Sequence, residues 1–140
     1  MTTFELKTHQ PGRTYSRPHF FILSKGNNSG KPLTDPCPNC FVIQLQTEEE
    51  KEQFYWLTFA LHKSKAFYPY LRGSVIPFIV IAEVRHIIRT AYHRSLHKSG
   101  HFGATLLKVK ALDEIQIKYR QQLQHIEQAK TQLLYLYFHK

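Results

Sequence analysis

Residues 111–139 constrain this chain more than any other stretch. Leu112, Ile115, Tyr119, Gln122, Ile126, Ala129, Leu133 and Leu136 follow one another at alternating spacings of three and four. That is the seam of a left-handed coiled coil, and every position in it except Gln122 is apolar or aromatic. So narrow a stripe is half of a structure, because a second helix has to cover it. A polar residue in such a seam sets register and partner number at some cost in stability, which is the expected part of Gln122. Leu123, Leu134, Tyr135, Tyr137 and Phe138 widen the apolar face toward the C-terminus. The chain is therefore expected to end in a helical arm, over 111–140, that pairs with a second copy or with a partner's helix.

The preceding residues, 1–110, read as one α+β unit: a small mixed sheet with one or two packed helices. A short edge strand is expected at Thr3–Lys7, before a loop carrying Pro11, Gly12 and Pro18. His19–Ser24 is an apolar run suited to a buried strand, and the β-branched and aromatic Phe41–Leu45 suits another. Lys25–Pro38 is turn chemistry throughout. Thr47 with Glu50 forms a capping box, and Glu48, Glu49 and Glu50 favour the positive end of a helix dipole, so a helix is expected from there to about Lys65. After a break at Pro69, Val75–Ile81 reads as an edge or bulged strand because of Pro77. Ala82–Ile88 is ambiguous between helix and strand, and Ala104–Lys110 is expected as a last strand.

Charge is the second constraint. The chain carries a formal net charge of +9, which favours polyanionic partners. Lys7, Arg13, Arg17, Lys25 and Lys31 lie in a stretch with no carboxylate, and so do Arg85, Arg89, Arg94, Lys98, Lys108 and Lys110. The two stretches are expected to meet as one cationic surface. Its expected contacts are Lys25, Lys31, Arg72, Arg85, Arg89 and Arg94 for phosphate, with Asn27 and Asn28 for base edges. Tyr92 is the aromatic in these stretches best suited to a surface role, and His86, His93, His97 and His101 would add charge below about pH 6.5.

Catalysis finds no foothold. Gly26–Lys31 has three residues between its glycines and then Pro32, so it lacks both the spacing and the hydroxyl of a nucleotide-binding phosphate loop. No paired carboxylates or nucleophile–base pair stand out, so a non-catalytic protein without cofactor is expected. Cys37 and Cys40 have the spacing of half a zinc site, with His93 and His97 the best candidates by type to complete it. No apolar run of about 18 residues and no secretory pattern is present, so no membrane association is expected, and the cytoplasm is the expected compartment.

The order of pieces resembles the target recognition domain and coiled-coil helix of type I restriction-modification specificity subunits. Gly73-Ser74, the apolar Val75–Ile81, Glu83-Val84 and the helix opening Leu112-Asp113-Glu114-Ile115-Gln116 carry that likeness. It implies double-stranded DNA as partner, with two arms packing to place two recognition domains. The phrases RPHFFILSKGNNSGKPL and PCPNCFVI are similar to a family of uncharacterised small bacterial proteins that travel with mobile elements. That likeness leaves open an alternative: a protein-interaction adaptor, or a decoy for a restriction complex, acting through the C-terminal helix.

Overall fold

A computed structural model describes residues 4–97 and 101–139. The chain divides into two compact units, residues 1–98 and 99–140. The first is an α+β unit built on a four-stranded sheet in the order β1-β4-β2-β3, with β1 Glu5–Thr8, β2 His19–Leu23, β3 Pro32–Leu33 and β4 Cys40–Gln44. Every pairing is antiparallel, where a mixed sheet was expected. The β2 and β4 spans agree with expectation to within a residue, because their apolar and β-branched residues suit strands buried on both faces. β1 is the expected edge strand. The two-residue β3 sits within the segment expected to be turn alone.

Register sorts the side chains. Phe20 stands opposite Ile43, and Ile22 opposite Phe41, so these four share one sheet face. On that face lie α1 (Glu48–Lys63) and α2 (Ile81–His97). Phe20 meets Tyr55 of α1 edge-on, with ring centroids 5.4 Å apart. Phe20, Ile22, Ile43, Leu45, Phe54, Val84 and Ile88 are all essentially sealed from solvent. Burying such a side chain contributes roughly 1.5–3 kcal/mol, so this layer holds the unit together. Phe21, Cys40 and Val42 point the other way and pack with Tyr15, Leu33 and Cys37.

The start of α1 follows its sequence. The Glu50 N–H donates to Thr47 Oγ1 at 3.1 Å, while the Glu50 carboxylate accepts from the Gln46 N–H at 3.1 Å, one residue before the cap. Its end is less ordinary. The Ala66 N–H donates to the Leu61 carbonyl at 2.9 Å and the Lys65 N–H to the His62 carbonyl at 3.1 Å. That paired closure needs a left-handed residue after the cap, and Lys65 takes it with φ 62°. A side chain there costs on the order of 1 kcal/mol relative to glycine.

Two expected strands do not form. Val75 and Ile76 are exposed, and only Phe78 makes bridges, one to Lys25 and one to Arg72. Pro77 supplies no N–H, and the chain instead turns at Val80, whose carbonyl accepts from Glu83 and Val84 to open α2. Ala82–Ile88 is thus helical, and Glu83-Val84 lies inside α2. Ala104–Lys110 belongs to α3 (His101–Phe138), so this helix begins ten residues before the expected arm at 111. Once a helix is nucleated, each added residue is cheap, and nothing between Gly103 and Leu112 breaks it.

α3 spans 38 residues, which makes it about 57 Å long. None of its described side chains is buried. Leu112, Ile115, Tyr119, Ile126, Leu133 and Leu136 of the seam are each about half exposed or more. Leu123, Leu134, Tyr135, Tyr137 and Phe138 are equally open.

Candidate functional site

The loop between β2 and β3 is held from three sides. The Gly26 N–H donates to the Pro77 carbonyl at 2.7 Å, the Gly30 N–H to Leu23 at 2.8 Å, and Ser29 Oγ to Gly26 at 2.7 Å. Gly30 lies at φ 98°, and a Cβ there would come within 2.3 Å of the Phe67 ring. Glycine is therefore required twice over, for its backbone angle and for the close approach. Phe67, 1% exposed, is the buried post against which the loop rests.

This anchoring shapes a cleft of about 270 Å³ between the loop and the end of α1. Its walls are Asn27, Asn28 and Ser29 on one side, and His62, Lys63, Lys65, Phe67, Tyr68 and Leu71 on the other. No carboxylate lines it. His62 titrates below its ordinary value because burial disfavours its charged form and the Lys31 and Lys63 ammonium groups repel it. Lys31 therefore belongs to the same electrostatic neighbourhood. Lys63 lies 5.7 Å above the Phe59 ring. Among the described residues no carboxylate pairs with Lys31, Lys63 or Lys65.

Beside the cleft, Phe78 bridges Lys25 on one side and Arg72 on the other, so two cations far apart in sequence are neighbours across one short strand-like segment. Arg72 also reaches Glu83 at 3.5 Å, which partly offsets its charge. Exposed Tyr68, Tyr70 and Phe78 add ring surface to this region.

The other three arginines expected as contacts lie elsewhere. Arg85 donates to the Leu6 carbonyl of β1 at 3.1 Å, and Arg89 sits 5.7 Å over the Phe4 ring. Both are thus held near β1, the edge strand furthest from β3. Arg94 is exposed further along α2. The second carboxylate-free stretch reaches the first at β1, where Arg85 meets Leu6 next to Lys7, and not at the Lys25–Lys31 loop. Of the expected contacts the fold groups Lys25, Asn27, Asn28, Lys31 and Arg72, and it holds Arg85 and Arg89 near β1 at the opposite edge. Tyr92 is corrected: it stacks on Phe54 with centroids 4.8 Å apart and supports the α1–α2 packing. Lys98 and the side chains of His97 and His101 lie outside the described residues.

His62, Lys63, Lys65 and Tyr68 escaped the sequence reading because they follow an apolar helix and look like its ordinary polar end. The run His-Lys-Ser-Lys was the available signal, since it puts three basic groups within four residues.

The cysteines are close, and both thiols are taken up by the backbone of their own turn. The Cys40 thiol donates to the Cys37 carbonyl at 3.1 Å, and Cys37 donates to Asn39 at 3.4 Å. Burial raises the pKa of Cys40. Among the described residues no three metal-ligating side chains converge. None of the described helices is long and apolar enough to cross a membrane.

A protein-family model, described as a family of unknown function (DUF6943), matches residues 6–136 and so spans nearly all of both compact units. The chain belongs to this family. No curated protein and no solved structure matches it. For this DUF6943 member the site has to be read from its own chemistry: an acid-free cleft, a rigid amide-bearing loop and exposed aromatic rings.

Proposed function

We infer that this chain is a non-catalytic DNA-binding protein that attracts the backbone through Lys25, Lys31, Lys63, Lys65 and Arg72. The observation that carries this reading is the gathering of these cations around one loop, with no carboxylate among the residues lining the cleft. Lysine and arginine supply phosphate attraction, Asn27 and Asn28 offer amide groups, and exposed rings suit base contact. Double-stranded DNA is the target proposed, with an organisation like half of a type I specificity subunit. Electrophoretic mobility shifts over a salt series test it. Affinity should fall steeply between low and moderate salt, and a flat response would reject the reading.

A second reading is favoured by one specific observation, the unburied apolar seam of α3. On that reading the chain is an adaptor whose helix pairs with a partner, or with a second copy, and its charge is incidental. Glutamate at Ile126 and Leu133 would then abolish function, while charge reversal around the cleft would not.

A further inference from the structure

We propose that the cleft between the Asn27–Ser29 loop and the end of α1 receives the phosphorylated end of a DNA strand, with Lys65 held in place to meet the terminal phosphate. This deepens the DNA-binding reading and rests on it. Size is the first argument. About 270 Å³ suits one nucleotide unit and not the flank of a duplex. A strand end, or a frayed one, is the part of DNA that presents a single nucleotide.

Charge is the second. A terminal phosphate monoester carries more negative charge than an internal diester, close to two at neutral pH. Lys63 and Lys65 line the cleft with His62, and Lys31 stands close enough to His62 to repel its proton. Asn27 and Asn28 add neutral amide donors on the facing wall. Tyr68 is 65% exposed at the same cleft and offers a ring on which a terminal base can stack.

The third argument is backbone strain. Lys65 is the only non-glycine residue with positive φ among the described residues, and it occupies the helix-closing position that glycine fills most comfortably. Strain of this kind is retained where the side chain has a task. The side chain here is an ammonium at the rim of an acid-free cleft. Folding alone would be better served by glycine, so binding and stability pull this position in opposite directions.

That opposition supplies the test. Fluorescence anisotropy of the full chain is measured with a labelled DNA duplex whose overhang ends in phosphate, and with the same duplex ending in hydroxyl. The unaltered chain should prefer the phosphate end about ten-fold, the worth of one charge-assisted contact. Lys65→Gly should erase that preference while raising the melting temperature by about 4 °C. Lys51→Gln, which removes a cation outside the cleft, should leave the preference intact.

Equal binding of the two ends would overturn the cleft assignment and leave the DNA reading standing. Binding of neither duplex would overturn the DNA reading. In that case a nucleoside monophosphate is titrated while the His62 ring signal is followed by NMR. A shift in the unaltered chain that Lys65→Gly abolishes would keep the cleft as a nucleotide site, and no shift would overturn it as well. A Lys65→Gly chain that melts lower would sink the strain argument.

Discussion

At the residue scale, single positions hold this unit together for reasons that can be separated. Gly30→Ala should destabilise by about 2–4 kcal/mol in urea unfolding, because the new methyl group meets the Phe67 ring at a backbone angle that disfavours it. Thr47→Ala should cost about 1 kcal/mol by the same measurement, since it leaves the Glu50 N–H without its cap. The cysteines should differ in reactivity. Cys37 is half-buried, whereas Cys40 is buried with its pKa raised by that burial. Alkylation at neutral pH, read by peptide mass spectrometry, should mark Cys37 first and reach Cys40 only on unfolding. Thr47 and Glu50 could be recognised as a cap without coordinates, because capping is a contact between residues three apart. The need for glycine at position 30 could not, because Phe67 lies 37 positions along the chain from it.

At the scale of elements, the end of α1 couples stability to pH. His62 has a depressed pKa in the fold, so its contribution is fully present above the unfolded value of about 6.5. It is lost as pH falls from there through the folded value, because the unfolded chain then binds the proton more readily. Denaturation midpoints should therefore decline over that acid window, and His62→Gln should flatten the decline. α3 makes a different demand. Its exposed seam means that Ile126→Glu with Leu133→Glu should abolish any self-association seen by sedimentation or light scattering, while the 1–98 unit keeps its fold. The elements legible in the sequence were those whose pattern is local and strong: β2, β4, the start of α1 and the seam of α3. Val75–Ile81 misled because an apolar run with Pro77 has strand composition. Which of its residues bridge depends on neighbours as distant as Lys25. Ala104–Lys110 misled because leucine, lysine and valine fit either state until the helix beyond them is counted.

For the molecule as a whole, the distribution of charge matters more than its sum. If the proposed DNA binding holds, Lys31→Glu should weaken it and reduce its salt dependence, with little change in stability, since Lys31 is exposed and pairs with no carboxylate among the described residues. Arg85→Glu should act the other way, lowering the melting temperature more than the affinity, because it breaks the tie to Leu6 and sets a carboxylate beside a carbonyl. Measuring both quantities for both variants separates a binding cation from a structural one. The antiparallel pairing came from the fold, while the sequence by itself determined the net positive charge, the two central strands, the capped helix and the heptad stripe. Each is a property of composition or of residues within a turn or two of one another. Only the tertiary structure decided which cations meet. In salt, charges act together only within about 10 Å, and the contacts that set those distances, Gly30 on Phe67 and Phe78 between Lys25 and Arg72, join segments that are remote along the chain.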